Sequence, residues 1–139
     1  MKLSVKSDYA ARAVLSLARR HHQQVPTRLE EIATENGLAP GYLVQILLEL
    51  KSHQIVRSVR GKDGGYQLAR PPAEITLADI LHCAHGPLFD TPALSDPLCP
   101  QELREGWRRL QAAVTDEARA INFQQLLEAN SDRDRMFYI

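Results

Sequence analysis

Arg60-Gly61-Lys62-Asp63-Gly64-Gly65-Tyr66 puts two cations, Arg60 and Lys62, among three glycines within seven residues. Cationic side chains and close-lying backbone N–H groups are what a nucleic-acid phosphate asks for, and glycine lets the backbone come near a partner. A second constellation is Tyr42, Val44 and Gln45, of which only Gln45 has the amide that can pair bidentately with adenine. A third is a pair of thiols, Cys83 and Cys99, with fifteen residues between them. Neither lies in a CxxC pair, and two thiols cannot complete a tetrahedral four-cysteine site. His21 and His22 are adjacent; on a helix they point about 100° apart, so they read as a solvated helix end rather than a ligand pair.

These side chains need elements to hold them. The glycine-rich turn sits between two β-like runs, 55–59 and 66–69. Asp63-Gly64 is the hairpin signal there, with glycine supplying the positive φ of a tight turn. A first helix is expected from Ser4 or Ser7 to about Arg20, with Tyr9, Ala10, Ala13, Val14, Leu17 and Ala18 recurring on one face. Thr27 and Glu30 have the spacing of a capping box that opens a second helix, and Gly37 ends it as a left-handed cap. Pro40 suits the first turn of a third helix over 40–52, whose core side chains are Leu43, Ile46, Leu47 and Leu50. Two closely joined helices lay the second of them into a major groove, and only its N-terminal half, carrying Tyr42, Val44 and Gln45, reaches base edges. Two helices and then a charged hairpin make a winged helix-turn-helix over residues 1–72, which points to double-stranded DNA. The fold expected is mostly α with a small β-hairpin wing.

Residues 73–139 form the second expected unit. Thr76 starts a helix with Leu77, Ile80 and Leu81 at helical spacing, running through Cys83 to Gly86-Pro87. A proline-rich loop follows over 87–100, longer than connections usually are unless they are functional or disordered. A long helix over about 100–121 carries Leu103, Trp107, Leu110 and Val114 at spacings of four, three and four. That narrow stripe reads as a coiled-coil seam that joins two copies as a homodimer, the alternative being packing onto its own domain. A short helix with Leu126 and Leu127 is capped by 122–125, and 131–139 is expected as a loose tail.

Net charge is zero, but its distribution is not even: residues 1–70 hold 11 Lys and Arg against 6 Asp and Glu, and residues 71–139 hold 6 against 11. A basic half facing phosphates and an acidic half kept off them is the reading this supports. No apolar run reaches the roughly 18 residues of a membrane span, and the first residues lack the apolar stretch of a secretory signal, so a cytoplasmic location is expected and no membrane partner. There is no P-loop, GxSxG or paired catalytic carboxylate, so an enzyme is not expected.

The run of residues 1–6, Tyr9-Ala10, Gly37-Leu38, Tyr42-Leu43, Gln45, and Val59-Arg60-Gly61 through Gly64-Gly65-Tyr66 resembles the IscR/NsrR/CymR-type bacterial transcription regulators, the Rrf2 family. The resemblance covers nearly the whole chain and is strongest over residues 1–70. It implies a homodimeric DNA-binding regulator, a repressor by expectation, on a palindromic operator. Tyr42 and Gln45 would lie in the groove-reading helix, and Arg60, Lys62, Gly64 and Gly65 in a wing that reaches the neighbouring minor groove. Many relatives have an acid after the Tyr-Leu pair; Val44 stands there here and can pack on a thymine methyl but cannot accept from cytosine.

Cluster-bearing members of that family carry three cysteines before the long helix and a histidine three residues after the last. Here only Cys99 matches and Glu102 replaces the histidine, so a standard three-cysteine cluster is not expected and no cofactor is the preferred reading. The alternative is an iron–sulfur cluster with mixed ligands, Asp8, Cys83 and Cys99 joined by His82, His85 or Glu102, which would make the protein a redox or nitric oxide sensor. Asp8 reads equally as a first-turn acid favoured by the helix dipole. A redox-sensitive thiol at Cys99, a protein co-regulator, and a wing used for protein contacts are the other readings.

Overall fold

The structure, a computed structural model, describes the backbone of residues 2–137 and the side chains of residues 2–131. Met1, Tyr138 and Ile139, within the resemblance and the expected tail, lie outside the described residues. Six helices and one hairpin follow in the order α1 (Val5–Arg19), α2 (Leu29–Asn36), α3 (Pro40–Ser52), β1 (Val56–Val59), β2 (Gly65–Leu68), α4 (Leu77–Ala84), α5 (Gln101–Ala120) and α6 (Phe123–Phe137).

Helix α1 is the central rod. Ser4 caps it by accepting from the Ser7 N–H at 3.1 Å, and Ala10, Ala13, Val14, Leu17 and Ala18 are buried along its inner face. Small alanines let α2, α3, α4 and α6 all pack against it closely. Helix α2 ends at Gly37 (φ 65°), where the Leu38 N–H returns to the Ala33 carbonyl at 2.9 Å and Leu38 drops into the core. That is a left-handed cap of the kind only glycine takes without strain, and it fixes the short link to α3. Leu43, Ile46, Leu47 and Leu50 of α3 are all buried, as their spacing requires.

The N-terminus of α2 departs from the expected capping box. Arg28 is the capping residue and makes no side-chain cap bond. Thr27 is instead taken up by the wing: its N–H donates to the Tyr66 carbonyl at 2.9 Å and its carbonyl accepts from the Tyr66 N–H at 2.8 Å. Those strand-type bonds hold Thr27 in extended pairing, so the helix starts after it. A capping box does occur at α4, where Thr76 and Asp79 exchange bonds of 3.2 and 2.9 Å.

The C-terminal elements are bound into the same core. Phe123 is fully buried and packs with Ile75 and Ile80 in the cluster built by α1, α2 and α3. The Leu77 N–H donates to the Ile121 carbonyl and the Phe123 N–H to the Ile75 carbonyl, at 2.9 and 3.0 Å, which ties the start of α4 to the α5–α6 junction. Hydrophobic packing therefore runs across the expected boundary at residues 72/73. The expected loose tail is different in form: α6 continues through Ser131 to Phe137. The 87–100 loop is also built, with a 3-10 turn at Pro92–Leu94. Arg104 donates to the carbonyls of Asp96 and Cys99, the latter at 3.2 Å, and Gln111 donates to the Phe89 carbonyl at 3.0 Å.

Candidate nucleic-acid interface

Helix α3 presents to solvent the face opposite its buried leucines. Tyr42 is 42 % exposed, Gln45 is exposed and Val44 is half-buried. Tyr42 is not loose: its ring meets Tyr9 of α1 edge-on with centroids 6.0 Å apart, and the Arg12 guanidinium lies 5.5 Å from the Tyr9 centroid. Asp8 in turn holds Arg12 at 2.9 Å. A line of three side chains from the start of α1, Asp8, Arg12 and Tyr9, thus steadies Tyr42 at the head of α3. The sequence reading did not connect Tyr9 and Arg12 to α3, since nothing in their spacing shows which neighbouring helix an exposed side chain meets.

The wing stands beside this face. Strands β1 and β2 pair antiparallel, Val56 with Leu68 through Val59 with Gly65, so residues 60–64 form the connection. The expected positive φ at Gly64 falls elsewhere, at Gly61 (φ 106°) and Gly65 (φ 151°). Gly64 is buried and its N–H donates to the Gly61 carbonyl at 3.0 Å. A side chain there would place its Cβ 2.1 Å from the Val59 carbonyl oxygen, and one at Gly65 would meet the Thr27 oxygen at 2.4 Å. Both glycines hold the wing's own backbone together, which leaves Arg60, Lys62 and Asp63 as the exposed charged groups of the tip, two cations against one carboxylate.

Three further contacts orient the wing. Arg28 donates to the Lys62 carbonyl at 2.6 Å, Lys51 of α3 donates to the Ser58 hydroxyl at 2.8 Å, and Arg57 on β1 donates to Gln67 on β2 at 3.0 Å. Arg28, Lys51, Arg57, Arg60 and Lys62 form a run of exposed cations along the wing and its roots. Arg28 and Arg57 escaped the sequence reading; a basic residue directly before a helix and another mid-strand were the available signals. The arrangement gives one protruding helix face with an amide acceptor-donor at Gln45, flanked by cations suited to phosphate.

The candidate seam on α5 divides in two. Leu103 and Leu110 are 48 % and 50 % exposed, whereas Trp107 packs on Phe89 with ring centroids 6.1 Å apart. Val114 is half-buried, and no residue of α5 is fully buried.

Asp8, Cys83 and Cys99 are placed on three different elements: the first turn of α1, α4, and the end of the 87–100 loop. Asp8 is engaged by Arg12. Cys83 packs against the core, where burial pushes its thiol pKa up, the Glu49 carboxylate adds to that and Lys6 opposes it. The Cys99 thiol lies 3.6 Å from the Pro100 carbonyl. Among the described residues no group of three or more His, Cys, Asp or Glu side chains is placed to hold a metal ion. Two thiols on separate elements, with no third or fourth ligand beside either among the described residues, do not fit an iron–sulfur cluster carried within one chain.

Comparison with known proteins agrees with this geometry. Residues 3–129 match the family model described as Rrf2, iron-dependent transcriptional regulator. The chain is similar to the HTH-type transcriptional regulator CymR of Bacillus subtilis, 33 % identical over 141 aligned positions that cover all of both chains. The solved structure of CymR, the global cysteine regulator of that organism, superposes with a TM-score of 0.84 at 32 % identity, covering 93 % of this chain and 98 % of the other. The T. potens IscR structure matches with a TM-score of 0.78 at 28 % identity, covering 94 % and 88 %. These relatives are transcription regulators, not enzymes. No helix among the described residues is long and apolar enough to cross a membrane.

Proposed function

The chain belongs to the Rrf2 family of transcriptional regulators, and from that membership we propose that it acts as a homodimeric, cytoplasmic repressor on a palindromic operator, without a three-cysteine cluster. The observation that carries the DNA-reading part is the α3 face. Tyr42 and Gln45 are exposed on a helix whose other side is locked in the core, next to a wing with Arg60 and Lys62 at its tip. Gln45 reads a base edge in the major groove, Tyr42 and Val44 line its approach, and Arg60 enters the adjacent minor groove with Lys62 on phosphate. Gly64 and Gly65 act by setting the wing's shape. Leu103 and Leu110 supply the apolar contact to a second copy, which spaces two recognition helices for the two halves of the operator.

The donor set supports regulation that does not depend on a resident cluster, with Cys99 in the 87–100 loop as the thiol that lies off the core cluster. An absorption spectrum with iron and sulfide assays on anaerobically purified protein tests this; stoichiometric iron would establish the iron–sulfur alternative. The DNA reading is tested by mobility shift on the protein's own promoter at several salt concentrations. Arg60→Ala is expected to weaken binding by about 1–3 kcal/mol, and Gln45→Ala to relax discrimination at one base pair by a similar amount. Unchanged affinity and sequence preference in both variants would overturn the reading and leave the wing as a protein-contact surface.

A further inference from the structure

Between α4 and the C-terminal half of α5 lies a cleft of about 390 Å³, within the range of small-molecule sites. Its walls are apolar: Leu81 of α4, Leu88 of the following loop, and Val114 and Ala118 of α5. Its only charged or titratable lining groups are His82 and Arg119. Arg119 forms none of the ion pairs found among the described residues, and it also borders the two neighbouring hollows. The cleft is open to solvent, with the exposed Arg119 and His82 at its rim. Asp79 and Asp116 line the adjoining hollows, not this one, and a largely apolar cleft with a guanidinium and an imidazole at its rim has a definite chemical complement. A guanidinium presents a planar fork of donors that matches a carboxylate bidentately, and the imidazole can add one more donor. So few polar groups suit a single carboxylate better than a multiply charged phosphate.

We propose that this cleft binds a small organic carboxylate with an apolar body, the carboxylate on Arg119 and His82 and the body against Leu81, Leu88 and Val114. The site has a direct path to the DNA-facing helix. His82 meets His53 edge-on with ring centroids 5.9 Å apart, and His53 is the residue that ends α3. A ligand that draws the His82 ring toward Arg119 changes the packing on the end of α3. The regulatory consequence rests on the DNA-binding reading; binding of the carboxylate does not.

Trp107 is the chain's one tryptophan, and its partner Phe89 adjoins Leu88, so its fluorescence reports on the cleft wall. The full chain is titrated with phenylacetate and with hexanoate, each against its neutral amide, with calorimetry in parallel. Expected is saturable binding of at least one carboxylate, about tenfold or more weaker for its amide and for Arg119→Gln, and lost in Ala118→Phe, which fills the chamber. No saturable binding of either carboxylate up to about 10 mM, or equal affinity in Arg119→Gln, would overturn the site. Operator affinity is measured on the same samples with and without the probe. Saturable binding by a protein that shifts no DNA removes the DNA reading and leaves the cleft; shifted DNA without probe binding removes the cleft alone.

Discussion

Gly65→Ala should detach the wing, and the size of the effect follows from two features that no other glycine in the chain combines. Gly65 has φ 151°, a conformation closed to side-chain-bearing residues, and its added Cβ would lie 2.4 Å from the Thr27 oxygen and 2.7 Å from the Thr27 carbonyl carbon. The conformational strain is about 1–3 kcal/mol. The clash is with backbone, so it is relieved only if Tyr66 and Thr27 part, which breaks their two hydrogen bonds at about 1 kcal/mol each. The expected loss is therefore about 3–5 kcal/mol, reduced somewhat if the freed groups reach water. Gly37→Ala is the control: its φ is 65°, but nothing lies within 4 Å of the added Cβ, so only the left-handed strain of about 1–2 kcal/mol applies. Urea unfolding followed by circular dichroism measures both, and amide exchange at Tyr66 reports whether the Thr27 pair has opened. If Gly65→Ala is no more destabilising than Gly37→Ala and the Tyr66 amide stays protected, the wing is not held by this pair and the reasoning fails.

Three other outcomes are expected. Leu110→Glu, alone or with Leu103→Glu, should shift light scattering toward monomer with helix content kept, because both side chains are about half exposed; a persistent dimer would assign the contact elsewhere. Glu35 accepts from both terminal nitrogens of Arg20, at 3.2 and 3.0 Å, and that bond holds its carboxyl below the usual carboxylate range, with burial working against it. Its contribution is therefore fully present above that range and fades as pH falls through the lowered value. For so exposed a pair it is about 0.2–1 kcal/mol, and Glu35→Gln should remove that acid-side slope from the unfolding free energy; an unchanged slope refutes the assignment. Cys83, its thiol pKa raised by burial, should alkylate with iodoacetamide near pH 8 more slowly than an unfolded-chain thiol, with mild urea restoring the rate; rapid labelling at Cys83 in the native protein, read by peptide mass spectrometry, contradicts that packing.

Much of the N-terminal half was legible because its signals are local. Apolar periodicity fixes α3 from Pro40 to Ser52 and names its four buried residues, and a glycine after Asn36 marks the end of α2. The failures are where a backbone group has a distant partner. Thr27 has the spacing of a capping residue, yet its N–H and carbonyl are engaged by Tyr66, 39 positions away. Gly64 has the look of a turn glycine, yet it is required by the Val59 carbonyl rather than by φ. On α5 the stripe was visible but not its division: Trp107 turns to Phe89 in a loop without periodicity, while Leu103 and Leu110 stay uncovered.

The same non-local packing bears on how a signal could travel. A DNA-binding unit joined to a sensing unit by a hinge would have to move as a whole to respond. Here Phe123 at the start of α6 and Ile75 and Ile80 around α4 are buried with the residues of α1 and α3 in one cluster. Close-packed interiors do not deform continuously, so a displacement of α4 relative to α5 is passed to whatever packs on α4. Helix α4 packs on both α1 and α3, and α1 steadies Tyr42 through Tyr9. Two routes therefore lead from the α4–α5 region to α3, one through His82 and His53 at its C-terminal end and one through Tyr9 at its N-terminal end. A shift reaching only one end would rock α3 about its buried leucines, which turns the exposed face that carries Tyr42 and Gln45 without unfolding anything.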